Sequence, residues 1–302
     1  LQSGPVPKEL APAESRGAGP DYRRTRSATR DPSTGDLVPF AAVNGQTIHY
    51  QDSDPEAEPG ARAIILSHGF AMGHEMWEHQ INPLVAAGWR VIAYDERGWG
   101  QTSYTAPFDY WDLATDVLSL MDHLEIEQAV LGGMSQGGFL SLRAALTAPE
   151  RVRALVLVDS EAGVFSDEGR AGFQALFDAG MAMGMSGEMG DALQMALFGP
   201  DFDASWWRAR WTARPLAQWA DAKECLFERD SIVERIGEIT CPAITFHGDV
   251  DMGINIAEGR ALAEGLGGPS EFVVVSGAGH SSNLENPEVV NTAMLAFLAD
   301  LD

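Results

Sequence analysis

Ser135 lies in Leu131-Gly132-Gly133-Met134-Ser135-Gln136-Gly137-Gly138, which contains the pattern Gly133-x-Ser135-x-Gly137. An apolar run at 129–131 precedes it and a helix-compatible run at 139–146 follows. The serine therefore falls on a turn from a buried strand into a helix. Such a turn strains the serine backbone and lifts its hydroxyl above a sheet. Neighbours without a Cβ let strand and helix approach closely. A hydroxyl is a poor nucleophile at neutral pH, so it needs a base within hydrogen-bond reach, and the base needs an orienting acid. Among the seven histidines, His280 is the best-placed base, in the small-residue loop Ser276-Gly277-Ala278-Gly279-His280-Ser281 after an apolar run at 271–275. The acid should follow a strand between serine and histidine. His247-Gly248-Asp249-Val250-Asp251 follows the run at 243–246 and offers Asp249 and Asp251, while Asp159, after the run at 152–158, is a third candidate.

Attack by a serine on a carbonyl also requires backbone N–H groups to hold the developing oxyanion. Gln136, directly after the serine at a helix N-terminus, supplies one candidate, helped by the helix dipole. The loop Ser67-His68-Gly69-Phe70, after the apolar run at 63–66, supplies the other in the Phe70 N–H. His68 precedes the glycine that makes this turn and reads as structural. Gly69 and Met134, next to the two donors, are candidate substrate contacts.

The elements that must position these residues alternate. Strands at 37–43 and 47–51 flank Asn44-Gly45, a strong hairpin signal. Apolar runs at 63–66, 90–94, 129–131 and 152–158 read as strands, with helical patterns at 78–87 and 110–124 between them. This rhythm implies an α/β fold, a doubly wound, mostly parallel sheet covered on both faces. The rhythm breaks after the sixth of these strands. Residues 161–235 read as helices only and are rich in Met and Trp, including Met181, Met183, Met185, Met189, Met195, Trp206, Trp207, Trp211 and Trp219. The α/β pattern resumes with strands at 243–246 and 271–275 and helices at 256–266 and 289–301. The expected organisation is an N-terminal tail at 1–36, a core at 37–160 and 236–302, and a helical cap at 161–235. Trp206, Trp207 and Trp211 are the cap residues expected to touch substrate.

Composition limits the alternatives. The chain has 302 residues and a formal net charge of −24, which disfavours nucleic-acid partners and an anionic membrane surface. The tail alone is near neutral. Two cysteines, Cys225 and Cys241, make no disulfide framework and have no metal-ligand cluster around them in sequence. No apolar run is long enough to span a bilayer. A cytoplasmic protein without metal or organic cofactor is expected, and homo-oligomerisation is left open.

Taken together, Ser135, Asp251 and His280 follow the chain order of the α/β-hydrolase fold, and the set of motifs resembles that superfamily. His68-Gly69-Phe70 is similar to its oxyanion motif and Asp95-Glu96-Arg97-Gly98-Trp99-Gly100 to its D-x-R-G-x-G loop. Gly277-x-Gly279-His280 resembles its histidine loop, and Gly248-x-x-Asp251 its acid motif, which favours Asp251 over Asp249 and Asp159. The resemblance covers about residues 37–302 and is nearest to the enol-lactonase, haloperoxidase-like and small-esterase branch with a serine nucleophile. Two departures stand out. Gln136 replaces the methionine common after the serine, which puts an amide where it could reach the pocket. Met252-Gly253-Ile254-Asn255 follows the acid where relatives often carry a proline. The resemblance implies a serine hydrolase cleaving a small-molecule ester or lactone through an acyl-enzyme. A carbon–carbon bond hydrolase or a cofactor-free perhydrolase would use the same triad, and a non-catalytic small-molecule receptor is the rival outside enzymes.

Overall fold

A computed structural model describes residues 28–30 and 37–301. Most of the expected tail therefore lies outside the described residues. Three of its residues form strand β1 (Ala28–Arg30), which pairs antiparallel with β2 (Leu37–Val43). β2 turns into β3 (Gln46–Asp52) through Asn44 at φ 45° and Gly45 at φ 73°, the left-handed pair that a two-residue hairpin turn of type I′ requires. The chain then alternates through β4 (Ala63–Ser67), α1 (Glu78–Ala86), β5 (Arg90–Tyr94), α2 (Tyr110–His123), β6 (Ala129–Met134), α3 (Gln136–Thr147) and β7 (Val152–Val158). Four helices follow without an intervening strand: α4 (Asp167–Met183), α5 (Glu188–Leu197), α6 (Ser205–Ala213) and α7 (Leu216–Phe227). The alternation resumes in β8 (Ala243–Gly248), α8 (Ile256–Gly265) and β9 (Ser270–Val275), and closes with α9 (Ser282–Glu285) and α10 (Pro287–Ala299). With β1 counted, the helical insertion follows the seventh strand of the chain; without it, the sixth.

The strands form one sheet in the order β1-β2-β3-β5-β4-β6-β7-β8-β9. Pairing is antiparallel from β1 to β5 and parallel from β5 to β9. The central strands are apolar along their whole length because helices cover both faces: every residue of β4 and β6 is buried. The edge strand β9 has one neighbour and exposes three of its six residues. Helix α2 starts at a capping box, in which Asp109 and Asp112 each accept from the other's backbone N–H. Its buried Leu113, Val117, Leu120 and Met121 lie on one face at helical spacing, and each such side chain contributes roughly 1.5–3 kcal/mol by leaving water. Among the described residues, no helix is long and apolar enough to cross a membrane.

β4 lies between β5 and β6, so the chain leaves β4 in one direction along the sheet and later crosses back to build β6 beside it. The loops after β4 and β6 diverge at this switch point and leave a crevice at the carboxyl ends of the strands. Ser67 pairs with Gly133 there, which puts Phe70 and Ser135 at neighbouring strand ends. The packing behind the crevice has no room for side chains. A Cβ on Gly133 would stand 2.1 Å from the Gly137 carbonyl oxygen, and one on Gly137 2.3 Å from that of Ser67.

Gly137→Ala must therefore move backbone, and it should destabilise the fold by about 2–3 kcal/mol, as overpacking does. Gly172, inside α4, faces open space, and a Cβ there would meet nothing within 4 Å, so Gly172→Ala should be neutral or stabilise by up to about 1 kcal/mol. Chemical denaturation of the two variants checks the contrast; equal losses would contradict the packing described.

Candidate active site

Ser135 sits between β6 and α3 at φ 50° and ψ −113°, a conformation that costs a non-glycine residue on the order of 1–3 kcal/mol. Four hydrogen bonds hold it there. Its N–H donates to the Val158 carbonyl at 2.8 Å, and its carbonyl accepts from the Gly138 and Phe139 N–H groups and the Ser160 hydroxyl. The side-chain oxygen is thereby turned toward His280, whose Nε2 lies 2.9 Å from Ser135 Oγ. His280 Nδ1 lies 2.8 Å from Asp251 Oδ2.

Asp251 is held by four groups. Oδ1 accepts from the Gly253 and Ile254 N–H groups at 2.6 and 3.0 Å, and Oδ2 faces both His280 and His247, the latter through Nε2 at 3.1 Å. Burial would raise the Asp251 pKa, but His280 and His247 outweigh it and hold the carboxyl well below its ordinary range. For His280 the balance is mirrored: burial lowers the pKa, yet Asp251 raises it above the ordinary histidine value. His247 Nδ1 is buried without a partner among the described residues, so its ring proton belongs on Nε2, where it is shared between Asp251 and the Ile254 carbonyl at 3.0 Å.

The other two acid candidates brace the site. Asp159 accepts from the Gly248 and Ser282 N–H groups, each at 2.8 Å, and so ties the end of β7 to the acid loop and the histidine loop. Burial, then the neighbouring Asp251, pushes its carboxyl up to about 6. Asp249 accepts from the Gly277 N–H at 2.6 Å. In the stretch that lacks a proline after the acid, Gly253 lies flat against the His280 ring, where a Cβ would come within 2.9 Å.

Neither the Phe70 N–H nor the Gln136 N–H donates to another group among the described residues. The Gln136 amide does not reach the cavity. Its Nε2 donates to Glu96 Oε2 at 2.5 Å and its Oε1 accepts from the Tyr110 hydroxyl. His68 is buried, and that burial lowers its pKa to about 4. Its Nε2 accepts from the Glu96 N–H, which leaves Nδ1–H to donate to the Gly69 carbonyl at 2.8 Å and set the turn that presents Phe70.

A cavity opens over Ser135 and His280, walled by Phe70, Phe139, Phe165, Phe173, Phe177, Leu193, Leu197, Leu226 and Ile254, with Glu161 and Arg229 at its side. The tryptophans expected here are elsewhere. Trp206 is 49% exposed and stacks edge-on against Trp207. Trp207 and Trp211 are buried, and Trp211 Nε1 donates to the Ala71 carbonyl at 2.8 Å, pinning the insertion to the loop that carries Phe70. Met134 is fully buried under Gly69, where a Cβ would strike its sulfur. The wall residues that the sequence does not announce are phenylalanines and leucines spread over several helices, with no local pattern to mark them.

Among the described residues, two clusters have metal-ligand chemistry: His49, His74 and Asp95, and Asp159, His247 and Asp251. In the first, Asp95 accepts from both rings at 2.8 Å and from the His74 and Gln101 N–H groups. Hydrogen bonds thus account for the geometry of the first cluster, and of the second as described.

Residues 62–287 match the family model described as the alpha/beta hydrolase fold. The chain is 28% identical to 3-oxoadipate enol-lactonase 1 of Acinetobacter baylyi over 250 residues, covering 81% of this chain and 90% of that protein. It is 26% identical to a putative non-heme chloroperoxidase of Synechocystis, over 86% of this chain and all of that protein. The crystal structure of an enol-lactonase from Burkholderia xenovorans superposes with a TM-score of 0.77 at 28% identity, covering 86% of this chain and all of that one. This protein belongs to the α/β hydrolase family.

Because Asp251 is what raises His280, Asp251→Asn should lower the His280 pKa, read by NMR titration of its imidazole. His247→Phe removes one donor from Asp251 and leaves more of its charge for His280, so the same titration should move upward. An unchanged value in Asp251→Asn would contradict the pairing.

Proposed function

We propose that this protein is a serine hydrolase that cleaves a carboxylic ester or lactone through an acyl-enzyme. The observation that carries this reading is the unbroken chain from Ser135 Oγ to His280 Nε2 at 2.9 Å and from His280 Nδ1 to Asp251 Oδ2 at 2.8 Å. In it, His280 takes the serine proton as Oγ attacks the substrate carbonyl. The imidazolium that forms is stabilised by Asp251, which also fixes the tautomer that leaves Nε2 free to act as base. The Phe70 and Gln136 N–H groups bind the oxyanion, and both are unengaged among the described residues, as preorganised donors must be. His280 returns the proton to the leaving alcohol or enol oxygen. It then takes a proton from water as the water oxygen attacks the acyl carbonyl, and it returns that proton to Ser135 Oγ as the acyl–Oγ bond breaks and the acid leaves.

The insertion acts as a cap over a core made of 37–160 and 236–302. Supporting this role, Phe173, Phe177, Leu193 and Leu197 come from α4 and α5 and wall the cavity over Ser135. Such a wall favours apolar acyl groups and excludes water from the oxyanion site.

Wild-type protein should turn over p-nitrophenyl esters of apolar acids. Ser135→Ala should reduce kcat/KM by about 10⁴-fold or more; a variant that keeps its activity would refute the reading. Phe173→Ala enlarges the wall and should shift kcat/KM toward longer acyl groups by about tenfold relative to butyrate.

A further inference from the structure

Apart from Ser135 and His280, the cavity wall carries two charged side chains among the described residues, Glu161 and Arg229, and both are buried. Their arrangement is unequal. Arg229 is held at each of its three nitrogens: Nε donates to the Gly163 carbonyl, Nη1 to the Leu226 carbonyl and Nη2 to Glu161 Oε1, which uses three of its five N–H groups. The rings of Phe139 and Phe165 pack against it, with centroids 4.6 and 4.4 Å from the guanidinium carbon. It cannot turn toward a ligand without breaking these contacts. Glu161 is different. Only Oε1 is bonded, and Oε2 accepts from no group among the described residues. Oε2 is not closed off from solvent-sized space, and Glu161 is one of the residues that line the cavity. A carboxylate oxygen has lone pairs for at least one donor there, and an acceptor in an apolar wall loses free energy if it stays unpaired.

We propose that Glu161 is a specificity-determining residue: the cavity takes an apolar acyl group that carries a hydroxyl or amine donor, which Glu161 Oε2 accepts. This rests on the ester-hydrolase reading of Ser135 and deepens it. Burial raises the Glu161 pKa above the ordinary carboxylate value and the Arg229 guanidinium opposes that rise; the carboxylate so paired makes a stronger hydrogen bond than a neutral acceptor. A carboxylate on the substrate would meet Glu161 as a like charge, while the cation beside it is already paired with Glu161 Oε1 and fixed by two carbonyls. The cavity therefore ranks apolar acyl groups that carry a donor above plain hydrocarbons, and both above anionic acyl groups. His280 feels the Glu161 charge, so the acceptor lies within electrostatic range of the reacting centre.

The test compares p-nitrophenyl esters of straight-chain acids of about four to eight carbons with their ω-hydroxy and ω-carboxy counterparts, pair by pair. A wall with no acceptor would make every hydroxyl ester slower than its parent, because the hydroxyl must leave water unpaired. The proposal expects the reverse for the chain length that reaches Oε2: a kcat/KM about tenfold or more above the parent, with the carboxylate ester below it. Glu161→Gln keeps an oxygen for Arg229 and should bring the hydroxyl advantage down by about tenfold. Affinities of the same esters for Ser135→Ala, measured by calorimetry, give the ratio without turnover and without altering Glu161. Absence of hydrolysis by the wild type would therefore count against the esterase reading, separately from Glu161. A hydroxyl disadvantage at every chain length, or an equal advantage in Glu161→Gln, overturns the proposal and leaves Oε2 to a water molecule.

Discussion

The structure depends on a strained residue held in place by absent side chains. Ser135 can stay at φ 50° and ψ −113° only because β6 and α3 pass each other at Gly133 and Gly137, where any Cβ would meet backbone within 2.3 Å. The cost of the strain is met by the four hydrogen bonds at its N–H and carbonyl, each contributing roughly 0.5–1.5 kcal/mol. Two of these partners, Val158 and Ser160, belong to the end of β7 and the residues after it. The turn is therefore set by the sheet around it, and the parallel pairing of β6 with β7 fixes where the hydroxyl points.

Charge organises what lies opposite. Asp159, Asp249 and Glu285 bind no catalytic side chain, yet their carboxylates accept N–H groups of the loops that carry Asp251 and His280. Glu285 also accepts from the Gly199 N–H in the insertion at 2.8 Å, and Trp211, twelve residues on in α6, donates to the Ala71 carbonyl. The insertion is thus fastened around α6 to the loops that present His280 and Phe70. Movement of the insertion would be felt at the reacting groups through these two bonds. An excess of acid over base in the composition is used here as a supply of acceptors for loop backbone.

The sheet was legible in the sequence because its central strands are covered on both faces and so appear as unbroken apolar runs. The candidates Ser135, Asp251 and His280 were legible because each sits in a short local pattern of glycines next to a strand end. What lay beyond the sequence depends on distance in the chain. His247 precedes a turn glycine and reads as strand residue; only the fold brings Nε2 to Asp251. Glu161 and Arg229 are 68 residues apart, and nothing in either neighbourhood announces the other. The tryptophans of the insertion drew attention as large apolar groups, but at helical spacing such residues more often pack helices together, as Trp207, Trp211 and Trp219 do. The cavity fell instead to phenylalanines from several separate elements.

The central claim is that the strained turn presents Ser135 as a nucleophile activated by His280. Covalent labelling with a fluorophosphonate, followed by mass spectrometry of the intact chain and its peptides, tests it without any assumption about substrate. The account predicts one equivalent of label, on Ser135, with a rate that rises with pH along a limb above the ordinary histidine value of about 6.5. Label on another residue, or no label in folded protein across that pH range, would contradict it.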